Sequence, residues 1–82
     1  MQKLKPKQLA VVQEVMEKAL KKKCIGVDVD SPLSCMLFPY DATVPKNMGE
    51  LREELDQRGF LLFYSKVIKD GEEFLSMNAV KQ

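Results

Sequence analysis

The segment "FLLFYSKVIKDGEEFLSM", residues 60–77, decides the fold of this chain. Two apolar runs rich in aromatic and β-branched residues flank Asp70-Gly71, and Asp-Gly in this setting is a strong signal for a type I′ turn. The segment therefore predicts a β-hairpin over about 60–77, with a loose tail at 79–82. The turn imposes this cross-strand register: Lys69 with Glu72, Val67 with Phe74, Ser65 with Ser76 and Tyr64 with Met77.

Both faces of this hairpin carry apolar side chains, because successive residues of a strand point to opposite sides. One face presents Leu61, Phe63, Val67 and Phe74, and the other presents Leu62, Tyr64, Ile68, Leu75 and Met77. A small domain has little further chain with which to cover both faces. We therefore expect part of a sheet face or edge to meet another chain.

A second helix is predicted just before the hairpin, over about 48–58. Asn47 followed by Glu50 has the spacing of a capping box, which predicts the start of a helix. Gly59 stands where a left-handed residue ends many helices. Upstream, "PYDATVPK" at 39–46 predicts a loop stiffened by two prolines, and a preordered loop loses less entropy on binding.

The amino-terminal part predicts one long helix over about 6–22. Pro6 suits the first helical position, and apolar residues recur on one side up to Leu20. The three lysines at 21–23 complement the negative carboxyl end of that helix. Residues 24–40 are less regular, and their runs "CIGVDV" and "PLSCMLFPY" predict short strands on either side of a turn at Asp30 and Ser31.

Together these elements predict an α+β fold in a single domain over 1–82: two helices packed on a small, mainly antiparallel sheet with a C-terminal β-hairpin. The hydrophobic fraction of 45% and the charged fraction of 30% are those of an ordinary folded domain. No tract is apolar enough to cross a bilayer, and the amino terminus lacks the apolar core of a signal peptide. We therefore expect a cytoplasmic protein without a membrane partner.

The composition argues against enzymatic and metal chemistry. The chain has two cysteines and no histidine, so it offers neither a four-ligand zinc site nor a Ser-His or Cys-His pair. Asp28 and Asp30 provide too few oxygen ligands for a hard cation. Cys24 and Cys35 are expected to be free, buried thiols. We predict no enzyme activity, no cofactor, and no catalytic or metal-binding residues.

The charge distribution suggests an alternative function in nucleic-acid binding. Residues 1–23 hold seven lysines against two acids, a net charge of +5, whereas residues 24–82 hold six bases against ten acids, a net charge of −4. The nucleic-acid candidates are Lys3, Lys5, Lys7, Lys18 and Lys21. A helix followed by a hairpin is also similar to the end of a winged-helix domain, although the outward side of this helix is acidic.

The favoured hypothesis is a non-enzymatic protein-protein interaction module, such as a small adaptor, inhibitor or regulator of a larger partner. Its partner would be another protein, and self-association into a homo-oligomer stays open. Two surfaces are candidates. The candidate residues on the loop and strand are Met36, Phe38 and Tyr40, and those on the acidic side of the second helix are Glu50, Glu53, Glu54 and Asp56.

Overall fold

The computed structural model describes residues 4–28 and 33–82, and in these residues the chain forms two helices and four strands. The elements follow one another as α1 (Pro6–Leu20), β1 (Gly26–Asp28), β2 (Cys35–Pro39), α2 (Thr43–Gln57), β3 (Phe60–Lys69) and β4 (Glu72–Lys81). All strand pairs are antiparallel, in the order β1-β2-β4-β3. The predicted α+β class is confirmed, and the order α-β-β occurs twice along the chain.

The hairpin of β3 and β4 forms around the predicted turn. Asp70 and Gly71 have φ values of 52° and 80°, and a type I′ turn needs positive φ at both positions. All four predicted residue pairs are observed in the register. The predicted loose tail is wrong, because β4 continues to Lys81, and Ala79 and Val80 are buried opposite Leu62 and Leu61.

Helix α1 begins at Pro6 as predicted and ends slightly before the predicted boundary at about residue 22. The backbone N–H of Lys5, the residue before the helix, donates to Oε1 of Gln8 at 3.0 Å. Lys21 adopts a left-handed conformation with φ of 57°, which ends the helix at Leu20. The Glu17 carboxylate then accepts the backbone N–H of Cys24 at 2.9 Å and directs the chain towards β1.

Helix α2 begins earlier than the capping-box spacing predicts. Its first residue is Thr43, so Asn47 lies inside the helix and the predicted start near residue 48 is wrong. Asp41 supplies the bonds expected of a cap, because its Oδ1 accepts the Thr43 backbone N–H at 2.8 Å and the Thr43 hydroxyl at 2.6 Å. Pro45 is tolerated in the first turn, where its missing N–H would have no partner within the helix.

The end of the predicted loop at 39–46 is therefore helical, and Pro39 is the last residue of β2. Only a short connection is left between β2 and α2. Helix α2 ends at the predicted place, where Gly59 has φ of 86° and donates its N–H to the carbonyl of Asp56 at 3.0 Å. Part of the segment predicted as a stiff loop thus belongs to α2, which is longer than predicted.

The hydrophobic core lies between the two helices and one face of the sheet. Each helix contributes four buried apolar residues: Val12, Val15, Met16 and Leu20 from α1, and Val44, Met48, Leu51 and Leu55 from α2. The buried sheet residues of this cluster are Met36, Phe38, Phe60, Leu62, Leu75, Met77 and Ala79. These sheet residues alternate along their strands and face each other in the register, so they all lie on one face.

Candidate interaction surface

The opposite face of the sheet is not covered by either helix, and we call it the open face. Its positions follow from the alternation of side chains and from the strand register. Apart from Gly26, Asp28, Lys69 and Glu72 at its margins, it is built by Cys35, Leu37, Pro39, Leu61, Phe63, Ser65, Val67, Phe74, Ser76, Asn78 and Val80. None of the residues inside these margins carries a charge, in a chain in which 30% of all residues are charged.

Large apolar side chains of the open face reach solvent. Leu61 is 45% exposed and Phe63 is 41% exposed, whereas Leu37, Val67 and Phe74 are half-buried. Val80 is buried at 3% exposure yet lies outside the main core cluster. The open face therefore carries a second, shallow apolar cluster, of which Leu61 and Phe63 are the exposed members.

The charged residues on this side of the sheet lie at its margins. Asp28 ends β1 at one edge of the sheet, and Lys69 and Glu72 form the last pair before the hairpin turn. A surface with an apolar, uncharged centre and charged margins has the anatomy of a protein interface, in which charged residues are depleted from the core of the patch.

On the helix side of the sheet, the end near the hairpin turn carries charged residues together with Ile68, which is 68% exposed. Lys66 bridges two strands, because its Nζ lies 3.1 Å from Oε1 of Glu73 and 4.7 Å from the ring centre of Tyr40. Arg52 of α2 lies over the ring of Tyr64 at 5.7 Å. These cation–π contacts pair each tyrosine ring with a cation, and Tyr64 remains 48% exposed.

Two of the three residues predicted on the loop and strand surface lie in the core. Met36 and Phe38 are 0% exposed, because they lie on the face of β2 that the helices cover. Their side chains cannot contact a partner of the folded chain, which corrects their assignment as interface residues. Tyr40 is half-buried beside Lys66.

The acidic residues predicted on α2 lie on its outer side. Glu50, Glu53 and Asp56 are exposed, whereas Glu54 forms an ion pair with Arg58 at 3.1 Å. Asp56 accepts a hydrogen bond from Nε2 of Gln82 at 3.0 Å. Half of this acidic set is thus engaged within the domain.

A groove of about 600 Å³ runs between the outer sides of the two helices. Val11, Val15 and Ala19 supply its apolar lining, and Glu50 and Glu54 bring part of the acidic set to it. Lys18 and Lys21 of the predicted nucleic-acid set also line it. Acids and bases therefore share this groove, and neither sign of charge dominates.

The predicted nucleic-acid residues do not gather in one place within the described chain. Lys5 and Lys7 lie at the start of α1 and Lys18 and Lys21 at its end, about 20 Å away for a helix of this length. All four are exposed. Lys3, like the predicted turn at Asp30 and Ser31, lies outside the described residues. The lysines near the end of α1 also line a shallow depression together with Glu14 and Glu17, which weakens their combined field.

The sequence hypothesis did not include Leu37, Pro39 and Val80 in the open face, where Leu37 and Pro39 are half-buried and Val80 is buried. Their signal is the alternation of side chains along a strand. Leu37 lies between the core residues Met36 and Phe38, and Pro39 follows Phe38. Val80 likewise follows the core residue Ala79. To assign these residues to one face, one must know that β2 pairs with β4, and these strands come from segments far apart in the chain.

Other kinds of site find no support among the described residues. Neither Cys24 nor Cys35 forms a disulfide, and both are half-buried. Residues 4–28 and 33–82 contain no group of three or more Cys, Asp or Glu side chains placed to hold a metal ion, and neither helix of this part is long and apolar enough to span a bilayer. Comparison of the chain with protein-family models, with curated proteins and with solved structures finds no match.

Proposed function

We propose that this chain is a non-enzymatic protein-interaction module, a small adaptor, inhibitor or regulator whose contact surface is the open face. The observation that carries the proposal is the position of the helices, which pack on one face of a sheet that is apolar on both. Monomeric soluble proteins rarely leave a contiguous apolar patch of this kind in water, and such patches commonly mark interaction sites.

The physical reason is the free energy of burying apolar surface. Removing apolar area from water contributes roughly 25 cal/mol for each Å², and Leu61 and Phe63 keep 45% and 41% of their surfaces exposed. A partner that covers them gains this free energy without breaking an ion pair, since the centre of the open face has no charge to desolvate. The groove between the helices offers less, because its charged side chains would have to be desolvated or paired.

Site-specific photocrosslinking tests the proposal in the cells that make the protein. The photoreactive analogue p-benzoylphenylalanine replaces Phe63 in one variant and Val11 in another. The two positions are matched, since each side chain is 41% exposed, but Val11 lies on α1. We expect a discrete covalent adduct with a protein from position 63 and no such adduct from position 11.

The possible outcomes distinguish a specific contact at the open face from non-specific crosslinking. An adduct that forms at position 63 and disappears when Leu61→Ser is added would assign the contact to the open face. Absence of adducts at position 63, or the same adducts from both positions, would remove the open face as the contact surface.

A further inference from the structure

We propose that the occupant of the open face is a second copy of this chain, so that two sheets stack face to face in a symmetric dimer. This inference rests on the proposed function, because it names the partner of the same surface. Each copy would contribute one sheet to a β-sandwich, with the helices on the two outer layers. Three properties of the open face favour a copy of the chain over a different protein.

The first property is the distribution of charge. A two-fold axis presses a patch against itself, so that every residue of the patch meets the same patch on the partner. Any net charge inside the patch would then oppose association. The open face has no charged residue at its centre, although 30% of the chain is charged. Its central polar residues, Ser65, Ser76 and Asn78, are neutral and can both donate and accept hydrogen bonds.

The second property is size. Strands β1 to β4 have 3, 5, 10 and 10 residues, and a rise of about 3.3 Å with a spacing of about 4.8 Å gives a projected area of about 450 Å². Two copies together would bury about 900 Å² of projected area, a figure that treats each face as flat and leaves out the height of the side chains. Specific interfaces begin at about 1,000 Å² in total, so an area slightly below that limit supports a weak dimer.

The third property is shape. Two copies of one sheet have the same right-handed twist, and face-to-face sheets with the same twist stack at about −30° with a core about 10 Å thick. Phe63 and Phe74 stand out from neighbouring strands of this sheet, whereas Ser65 and Ser76 between them are small. Such alternation of large and small side chains lets two facing layers interdigitate.

Sedimentation equilibrium of the full chain tests the inference. We expect the wild type to reach twice the chain mass of 9.4 kDa at micromolar concentration. Phe63→Lys should weaken the dimer by at least about tenfold, because it places a charge without a partner on the apolar surface that the two copies bury. The matched variant Val11→Lys, at a site of equal 41% exposure on α1, should sediment as the wild type does.

Thiol alkylation gives a second readout that identifies the surface. Cys35 lies on the open face, whereas Cys24 precedes β1 and packs against the main core. In the dimer the alkylation rate of Cys35 should fall as protein concentration rises, while that of Cys24 should stay constant. Circular dichroism of Phe63→Lys verifies that the variant is folded. If it is not folded, the milder Leu61→Ser replaces it.

The possible results distinguish this inference from the proposed function. A wild type that stays monomeric overturns the dimer, and so does a dimer that Phe63→Lys and Leu61→Ser leave intact. A monomer whose position 63 crosslinks to a different protein overturns the dimer and leaves the interaction module standing. A monomer with no crosslink at position 63 overturns both.

Discussion

The ammonium group of Lys22 donates a hydrogen bond to the carboxylate of Asp41, and this contact joins the end of α1 to the start of α2. The same carboxylate accepts the backbone N–H and the hydroxyl of Thr43. One acidic side chain therefore determines where α2 begins and ties it to the chain that leaves α1. Two of the three lysines at 21–23 thus have structural roles: Lys21 ends the helix, and Lys22 anchors it to Asp41.

Asp41 should make the stability of the protein depend on pH in the acid range. Hydrogen bonds from Lys22 and then Thr43 lower the pKa of Asp41 from 3.8 to about 2. A group whose pKa is lower in the folded state stabilises that state above its unfolded pKa, and the effect is lost as pH falls through the folded pKa. The stabilisation from Asp41 should therefore be complete above about pH 4 and disappear towards pH 2.

Thermal unfolding of Asp41→Asn between pH 7 and pH 2 measures this dependence. The variant should melt below the wild type at pH 7, and the two melting temperatures should converge as pH approaches 2. Lys22→Ala should lower the melting temperature at pH 7, whereas Lys23→Ala should leave it unchanged. A difference between Asp41→Asn and the wild type that persists at pH 2 would show that proton linkage at Asp41 is not its source.

Gly49→Ala should stabilise the protein. Gly49 lies within α2 and is exposed, and a Cβ added there would meet no atom within 4 Å. Close packing on a strand therefore does not explain this glycine. Alanine in a helix interior is favoured over glycine by about 1 kcal/mol, and urea unfolding should show a gain of that size.

Gly71→Ala is the matched substitution with the opposite expected sign. The space around Gly71 is also open, but its φ of 80° is strained for alanine. We expect a loss of about 1 kcal/mol in the same urea experiment. Equal effects of the two substitutions would contradict the assignment of Gly71 to the turn and Gly49 to an ordinary helical position.

Phe38→Ala should destabilise the fold far more than Tyr40→Ala. Phe38 is fully buried between the sheet and the helices, and removing a buried phenylalanine side chain costs about 3–5 kcal/mol. Tyr40 is half-buried, and its loss removes a contact with Lys66 that is worth about 1 kcal/mol. Guanidinium unfolding of both variants would show whether this ranking holds, and similar losses would place Phe38 outside the core.

Nucleic-acid binding should be weak. The described lysines at the two ends of α1 are too far apart to act as one cluster, and Glu14 and Glu17 lie among those at its end. Fluorescence anisotropy with random duplex and single-stranded oligonucleotides should therefore detect no micromolar affinity at about 50 mM salt. Affinity that collapses by about 200 mM salt, and that is lost when Lys5, Lys7, Lys18 and Lys21 become alanine, would instead support the nucleic-acid alternative.

Much of the fold could be predicted because its signals are local. Asp70-Gly71 supplies the positive φ values that a type I′ turn requires, so the turn and the register of β3 and β4 follow from a few adjacent residues. Gly59 likewise ends α2 where the sequence predicts. The start of α2 was not predicted, because the Asn47 and Glu50 spacing competes with the better bonds that Asp41 makes to Thr43.

The candidate site could be predicted only in part. The sequence by itself determined that both faces of the hairpin carry apolar side chains. It also indicated that two helices cannot cover both of these faces. It could not determine which face the helices would cover, because Leu61 and Leu62, or Phe63 and Tyr64, have similar hydrophobicity. That choice depends on α1, α2 and β2, which come from other parts of the chain. Their packing buries Met36, Phe38 and Leu62 and leaves Leu61 and Phe63 in water.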